Sequence, residues 1–226
     1  MAMPGDPAAL KAAVAELSDS DPVIARLAQN YGLPTLDRRS LPDFTIEYGK
    51  PVAVPLEDQL FSDLVEVVIR QQLAGKAAIA ISGRVRAALM DNLTPQAVID
   101  SDPDLLRASG LSSAKLSAIR GLAKAITTNT LSLVSLACAS DDDVTAELSK
   151  LKGFGPWSAQ MFLMFSLGRM DIWPSGDLGV RKGYSRSYGL ETVPSAKELA
   201  VLGERFRPYR SLAAWYMWKS LVDLPI

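Results

Sequence analysis

Hydrophobic residues recur along most of the chain at spacings of three and four positions, which is the repeat of one face of an α-helix. The clearest stretches lie within 60–69, 81–89 and 116–126. Their apolar positions are Leu60, Phe61, Leu64, Val65, Val68 and Ile69; Ile81, Val85, Ala88 and Leu89; and Leu116, Ile119, Leu122, Ala123 and Ile126. Alternation typical of strands is scarce, so the pattern predicts an all-α fold of about ten helices joined by short turns.

The predicted helix ends carry residues that suit them. Asp6, Asp21 and Thr94 each precede a proline, which places a capping side chain before proline at the first helical position. Glycines stand where helices would end, at Gly32, Gly110, Gly168 and Gly189. The exception is 33–55, which holds four prolines. We expect an extended connection there, with a short β pairing around 45–48 as the alternative.

The segment 148–159 predicts two helices joined by a tight turn. One helix ends at Lys152, Gly153-Phe-Gly155 reverses the chain, and Pro156 opens the second helix. The glycines would let a phosphate approach exposed N–H groups at the positive end of the second helix dipole. A plain helix–helix turn explains the same residues equally well, so the hairpin alone does not decide between the two.

A second signal follows the hairpin. A Pro/Gly loop, Trp-Pro-Ser-Gly, leads to Asp177, which lies 22 positions after Gly155. One interpretation is a plain N-cap of the helix that continues through Tyr184, and the other is a reactive carboxylate held at a helix start. A capping role does not require the Arg181 and Lys182 that follow.

The amino-acid composition excludes several kinds of catalytic and metal site. The 226 residues include no His and one Cys. These counts exclude histidine bases and ligands, and also disulfides and cysteine-held zinc or iron–sulfur sites within this chain alone. If the chain is an enzyme, carboxylates, Lys, Tyr, Ser or backbone groups must do its chemistry.

The net charge of −1 hides an uneven distribution. Residues 1–69 carry a net −6 and 70–226 a net +5, and the stretch 150–190 alone carries +4. The near-neutral total therefore does not exclude a nucleic-acid partner. No signal peptide is visible, and the apolar run 161–165 is far shorter than a membrane span. We expect a buried helix there, no membrane partner, and a cytoplasmic location, on the nucleoid if the source is bacterial.

Together, these features resemble the helix-hairpin-helix superfamily of base-excision DNA glycosylases. Three further segments are similar to parts of that family: 69–78 to the helix–loop–helix that enters the DNA, 110–115 to the link before the central helix, and 207–218 to the C-terminal helix of the alkylated-base branch. The resemblance covers residues 56–222 and points to the DNA-3-methyladenine glycosylase II branch. It is to the short form of that branch, without an N-terminal α/β domain.

The resemblance implies a fold of two helical lobes with the active site in the cleft between them. The whole chain 1–226 would form one glycosylase core. About 56–168, with the hairpin at 148–159, would form the central lobe, and 1–55 plus 169–226 the second lobe. A monomer that needs no cofactor is expected.

The family reaction flips an alkylated purine out of double-stranded DNA and hydrolyses its N-glycosidic bond, leaving an abasic site. Asp177 is implied as the catalytic carboxylate, which stabilises positive charge on the sugar and orients or activates the water. Bases of the 3-methyladenine and 7-methylguanine type already carry a positive charge and leave without a general acid, which fits the absence of His. Trp157 stands where strand-cutting members have a Lys that forms a Schiff base, so a monofunctional enzyme is implied.

Other roles are implied residue by residue. The base pocket, whose aromatic faces suit a cation, would be formed by Trp157, Trp218, Met161 and Tyr184. The long form of the branch has an aromatic residue at the position of Met161, which bears on the range of lesions and not on the reaction type. The DNA wedge would be Gln72 and Leu73. Core packing is the alternative for Leu73 and for the tryptophans, and it is favoured for Trp173 and Trp215.

The hairpin and its surroundings would hold the DNA backbone. Phosphate contacts are implied for Gly153, Gly155, Lys152, Arg181 and Lys182, with a solvated surface as the alternative for the basic residues. Carbonyls of the hairpin, those of Leu151, Gly153 and Phe154, would hold a Na⁺ or K⁺ ion. Two other functions stay open: a non-catalytic helix-hairpin-helix DNA-binding module, which has no use for Asp177, and a helical scaffold, which the basic stretch 150–190 disfavours.

Overall fold

In a computed structural model, residues 7–34, 36, 56–73 and 75–222 are described, and they form α-helices and one 3₁₀ helix. The α-helices are α1 (Pro7–Ser20), α2 (Pro22–Tyr31), α3 (Leu56–Arg70), α4 (Gly75–Ala88), α5 (Pro95–Asp100), α6 (Pro103–Ala108), α7 (Ser113–Thr127), α8 (Leu133–Ala137), α9 (Asp141–Ser149), α10 (Pro156–Phe165), α11 (Leu178–Tyr188), α12 (Ala196–Leu202) and α13 (Arg210–Val222). The 3₁₀ helix is Gly203–Phe206. No strand occurs within these ranges, which confirms the all-α prediction.

The described helices outnumber the ten or so that the hydrophobic pattern predicts. The additional elements are short: α5, α6, α8 and α12 have five to seven residues each. A helix of one or two turns shows too few repeats for its period to be recognised. Each of the four is instead held by an N-cap side chain that accepts a backbone N–H of its first turn.

The three predicted apolar faces lie in α3, α4 and α7, except that Leu89 follows the last residue of α4. All six predicted positions of α3 are buried, as are the first four of α7, while the fifth, Ile126, is half-buried. The predicted caps also hold, since Asp21 accepts N–H bonds at the start of α2, Thr94 does so at α5, and Gly189 ends α11 in the left-handed conformation. Asp6 and the predicted pairing at 45–48 lie outside the described residues.

Two compact units divide the described residues. In the unit drawn from 42–162, α3 packs against α4, α7 and α8, and α5 packs on α7. In the unit drawn from 1–41 and 163–226, α11 packs along α13, which also contacts α2. The run 161–165 in α10 is buried as predicted, and no helix in the described part of the chain has the length and hydropathy needed to cross a membrane.

A buried carboxylate joins three elements of the second unit. The Asp21 side chain is 2% exposed and accepts the phenol O–H of Tyr188 over 2.8 Å, and it also forms an ion pair with Arg205 of the 3₁₀ helix. The Tyr188 ring stacks on Tyr184, with 4.3 Å between the ring centroids. Burial, and then the hydrogen bond to Asp21, raises the pKa of Tyr188 above its ordinary value of 10.0.

Candidate active site

The predicted hairpin is present, with its first helix shorter than expected. That helix, α9, ends at Ser149 instead of Lys152, because the next N–H groups bond to carbonyls three residues back, as in Leu151 to Leu148 over 3.0 Å. Residues 150–155 form the hairpin turn, and Pro156 opens α10 as predicted.

The two hairpin glycines have different reasons to be glycine. Gly153 has a φ of +90°, and a Cβ there would lie 2.5 Å from the Cβ of Ala118 in α7. The turn therefore needs glycine at 153 to pack on α7. A Cβ on Gly155 would meet nothing within 4 Å. No contact within the described chain requires glycine at 155, so that position is open to an approaching ligand.

The predicted wedge residues form the turn between α3 and α4. We call Gln72 and Leu73 the wedge loop. Leu73 is 38% exposed, so the alternative of a core leucine does not hold. Gln72 is exposed and adopts a φ of 56°, a left-handed conformation that a side chain other than glycine seldom occupies.

The residue before the wedge loop contacts the hairpin directly, although no motif in the sequence singles it out. The amide nitrogen of Gln71 donates to the carbonyl oxygen of Gly153 over 3.0 Å and to Oγ of Ser158 over 2.9 Å. Lys115 of α7 donates its ammonium to the carbonyl of Ile69 in the last turn of α3, over 2.7 Å. Burial lowers the pKa of Lys115 from its ordinary value.

The loop that leads to Asp177 is anchored along its length. Oγ of Ser211, at the start of α13, accepts the N–H of Ile172 over 2.9 Å and donates to the carbonyl of Arg169. The Arg210 guanidinium forms an ion pair with Asp171 over 2.7 Å. The indole of Trp173 donates to the Leu199 carbonyl over 2.7 Å. The loop is therefore fixed to α12 and α13 before it reaches Asp177.

Asp177 is both an N-cap and the partner of a predicted pocket residue. Its Oδ1 accepts the N–H of Val180 over 2.9 Å, which caps α11, and the indole N–H of Trp218 over 2.8 Å. The Trp218 ring is half-buried and packs beside Phe165, with 5.7 Å between ring centroids. The capping interpretation is thus correct, and it does not exclude the catalytic one, because the same carboxylate is oriented toward an aromatic side chain.

Glycines on one face of α11 make this arrangement possible. A Cβ on Gly179 would lie 2.7 Å from Cδ1 of Trp218 and 2.9 Å from Oδ1 of Asp177. A Cβ on Gly183, one turn later, would lie 2.0 Å from the Met217 carbonyl oxygen. The backbone of α11 therefore lies directly against the Trp218 ring and the Met217 backbone of α13. The signal in the sequence is the Gly-x-x-x-Gly spacing of 179 and 183, which begins two residues after Asp177.

The other predicted pocket residues lie in different surroundings. Trp157 is half-buried in the first turn of α10, and Met161 one turn later is 7% exposed. Tyr184 is 2% exposed and packs in the aromatic cluster with Tyr188 and Phe206, so its assignment to the base pocket is not supported. No local pattern shows this cluster, because its rings come from separate elements that the fold brings together.

Trp173 and Trp215 are core residues, as the sequence analysis favoured. They are 7% and 5% exposed, and each packs against a neighbouring aromatic ring.

The basic residues predicted to contact phosphate differ in their surroundings. Lys152 and Lys182 are exposed, whereas Arg181 donates to the Pro194 carbonyl over 2.6 Å and so holds the segment after α11.

Comparison with known proteins decides the family. The sequence model of the HhH-GPD superfamily of base excision DNA repair proteins matches residues 65–208. The chain belongs to this superfamily. It is 32% identical over 163 residues to DNA-3-methyladenine glycosylase 1 of Schizosaccharomyces pombe, covering 71% of this chain and 72% of that protein.

Two solved structures of HhH-GPD relatives are similar over nearly the whole chain. The S. pombe 3-methyladenine DNA glycosylase Mag1, solved with abasic DNA, has a TM-score of 0.77 at 28% identity and covers 95% of this chain and 99% of its own. The DNA-3-methyladenine glycosidase of Bacillus halodurans has a TM-score of 0.70 at 29% identity, with 96% and 90% covered. This HhH-GPD chain therefore has the helical glycosylase fold that its sequence motifs predict.

Proposed function

We propose that the chain is a monofunctional DNA glycosylase, which hydrolyses the N-glycosidic bond of alkylated purines in double-stranded DNA and leaves an abasic site. The observation that carries the proposal is the Asp177 carboxylate, held at the start of α11 by the N–H groups of Val180 and Trp218. The similar proteins are named for 3-methyladenine removal. The alternative of a non-catalytic DNA-binding module is not favoured, because a binding module has no use for a carboxylate oriented in this way.

Asp177 acts on the sugar as the base leaves. Departure of the base makes the sugar positively charged, and a carboxylate fixed in advance stabilises that charge without reorganising. Two N–H groups donate to Oδ1 of Asp177 and fix its position at the start of α11. The carboxylate also orients the water that attacks the sugar.

The leaving base is a cation of the 3-methyladenine or 7-methylguanine type. Trp218 supports this substrate class, since an electron-rich indole attracts a cation over its face. Its N–H bond to Asp177 and its packing beside Phe165 fix the plane of that face. A base that already carries a positive charge needs no general acid, and the chain has no histidine to supply one.

The hairpin turn holds the DNA backbone. A phosphate oxygen approaches the start of α10 at Gly155, where nothing in the described chain would meet even a Cβ. Lys152 beside it is exposed and adds a positive charge. Double-stranded DNA as the partner fits the expected cytoplasmic location, on the nucleoid in a bacterium.

No cofactor takes part in the proposed hydrolysis. The carbonyls of Leu151 and Gly153 suit a Na⁺ or K⁺ ion, because such ions prefer oxygen ligands. One bond to each oxygen comes from within the protein, from the N–H of Phe154 and from Gln71. A carbonyl oxygen has a second lone pair, so both can still bind a cation. The residues therefore fit the ion, which would add positive charge beside a DNA phosphate.

Incubation with randomly methylated DNA tests the proposal. Released bases are separated by chromatography, and the DNA is examined for strand breaks before and after heating in alkali. We expect free 3-methyladenine and 7-methylguanine, and strand breaks only after heating, because Trp157 provides no amine for a Schiff base. Absence of both bases would overturn the glycosylase proposal, and breaks without heating would overturn the monofunctional one.

A further inference from the structure

Gln71 lies at the junction of the two DNA-contacting elements of one unit. Its side-chain amide donates to the carbonyl oxygen of Gly153 in the hairpin turn and to Oγ of Ser158 in α10. Gln72 and Leu73, the wedge loop, are the next residues along the chain. One side chain therefore connects the wedge loop to the hairpin turn and to the second helix of the hairpin, across 82 and 87 residues of sequence.

The same junction is supported from below by α7. The Lys115 ammonium donates to the Ile69 carbonyl, which lies in the last turn of α3 just before Gln71. Three residues later on α7, Ala118 lies under Gly153, where a Cβ would come within 2.5 Å. Both the end of α3 and the hairpin turn thus rest on one turn of α7. This leaves the Gln71 bonds to fix the exposed side of the junction.

The wedge loop has a conformation that must be held. Gln72 lies at a φ of 56°, a left-handed conformation that is sterically unfavourable for a residue with a Cβ. Such a conformation persists where surrounding contacts determine it. The Leu73 N–H donates to the Arg70 carbonyl across this position over 3.3 Å, and the side-chain bonds of Gln71 adjoin it. Without such contacts the loop would sample other backbone conformations. An apolar side chain without a fixed position cannot fill the gap that a flipped nucleotide leaves in the base stack.

We propose that Gln71 is a positioning residue for the wedge loop: it holds Gln72 and Leu73 at a fixed distance from the hairpin turn. The wedge and the phosphate contact then act on the same stretch of duplex. The proposal rests on the proposed glycosylase function, because it assigns Gln71 a role in replacing a flipped nucleotide. Base excision should therefore depend on Gln71 in a duplex, where the flipped nucleotide leaves a gap. Excision from a single strand, which has no such gap, should not depend on it.

Gln71→Met tests this, since methionine keeps the length of the side chain and loses both donors. The matched control is Gln96→Met in α5, where the lost bond is an exposed one to Asp100. Single-turnover excision of 7-methylguanine is measured on a duplex and on the same strand alone. We expect the duplex rate of Gln71→Met to fall about tenfold, with the single-strand rate within about twofold of wild type. Gln96→Met should match wild type on both.

Ser158→Ala provides the second variant. It removes one acceptor and leaves the bond from Gln71 to Gly153. Its duplex rate should fall less than that of Gln71→Met, and adding it to Gln71→Met should cause no further loss. Fully additive losses would show that the two residues act independently, which overturns the proposal.

Hydrogen–deuterium exchange on the free protein tests the contact without any substrate. Peptides that cover Gln72 and Leu73 should exchange faster in Gln71→Met and unchanged in Gln96→Met. Unchanged exchange, an unchanged duplex rate, or an equal loss on duplex and single strand would each overturn the positioning role. If wild type released no base from either substrate, the proposed glycosylase function would fall instead, and the exchange result alone would then decide whether Gln71 holds the loop.

Discussion

The indole N–H of Trp218 and the backbone N–H of Val180 converge on the same oxygen of Asp177, over 2.8 and 2.9 Å. One bond comes from α13 and the other from the first turn of α11. The proposed catalytic carboxylate is therefore oriented by two helices at once, and its position depends on how closely those helices pack.

Asp177→Asn separates the charge of this residue from its capping role. Asn caps helices about as well as Asp, so α11 should keep its start. We expect excision to slow on the order of a hundredfold or more, because the charge that stabilises the sugar is lost. Single-turnover kinetics measure the rate, and fluorescence anisotropy should show DNA binding largely intact.

The matched control for this change is Asp102→Asn, which alters the N-cap of α6. It should leave excision unchanged. A rate for Asp177→Asn near that of wild type would remove Asp177 from the mechanism.

Gly179→Ala tests the close approach of α11 and α13. The added Cβ would lie 2.7 Å from the Trp218 ring and 2.9 Å from Oδ1 of Asp177, so the ring has to move. We expect a loss of about 1–3 kcal/mol in the free energy of unfolding, as for other overpacked cores. Excision should fall at least about tenfold, because a 1 Å displacement of a catalytic group is costly.

Gly121→Ala is the control for the helical substitution itself. Gly121 lies in α7 and a Cβ there meets nothing within 4 Å, so alanine should stabilise the protein by about 0.5–1 kcal/mol. Denaturant melts and excision rates are compared for the two variants. Equal behaviour of both would mean that the contact with Trp218 has no functional weight.

How far the sequence predicts this site depends on the range of the contacts. Asp177, the hairpin and the buried α10 follow local rules of capping, turn chemistry and periodicity, and their places were predicted. The bond from Trp218 to Asp177 depends on the rotation of α13 against α11. The resemblance assigns Trp218 of the helix at 207–218 to the base pocket and favours the core for Trp215, but no local pattern shows the bond that joins Trp218 to Asp177.

Gln71 and Tyr184 also show that contacts between residues distant in sequence cannot be predicted from local patterns. The contact of Gln71 with Gly153 joins residues 82 positions apart, and no local pattern signals it. Tyr184 is predicted in the base pocket, yet its ring packs in a cluster with Phe206. Neither contact follows from a local pattern, because tertiary packing decides which side chains meet.

Gln72→Gly separates backbone strain from the work of the side chain. Glycine occupies a φ of 56° without the steric cost, although it also gains freedom in the unfolded chain. These effects oppose each other, so the free energy of unfolding should stay within about 1 kcal/mol of wild type. Excision from duplex should nevertheless slow, since nothing then occupies the gap beside Leu73.

Met90→Gly is the matched control for this change. Met90 is 90% exposed at a φ of 51°, in the turn after α4. Its replacement should leave excision unchanged at similar stability. If Gln72→Gly also retained full duplex activity, the wedge assignment would not stand for Gln72.

Tyr188→Phe tests the buried carboxylate cluster through pH. At pH 8 the variant should be less stable by about 1–3 kcal/mol, because Asp21 loses a donor in a buried site. The pKa of Tyr188 is raised in the folded protein, so its stabilising contribution is complete below pH 10 and is lost as the pH rises through the folded value.

The wild type should therefore lose stability between pH 9 and pH 11 that Tyr188→Phe keeps, and the difference between them should shrink by about 1 kcal/mol. Guanidinium melts at both pH values measure this. Tyr209→Phe removes a similar bond, to Glu16 on the surface, and should cost less than about 1 kcal/mol at pH 8. A gap that widens with pH would contradict the assigned role of Tyr188.

The glycine face of α11 also determines which parts of that helix can be redesigned. Because Gly179 and Gly183 set the distance to α13 through close contact, the exposed side chains of Lys182 and Arg186 do not define where Asp177 lies. Charge on that outer surface can be raised or lowered to tune the salt dependence of DNA binding while the catalytic geometry stays as it is. In an engineered variant, affinity for DNA and the rate of base release could thus be adjusted at separate positions of one helix.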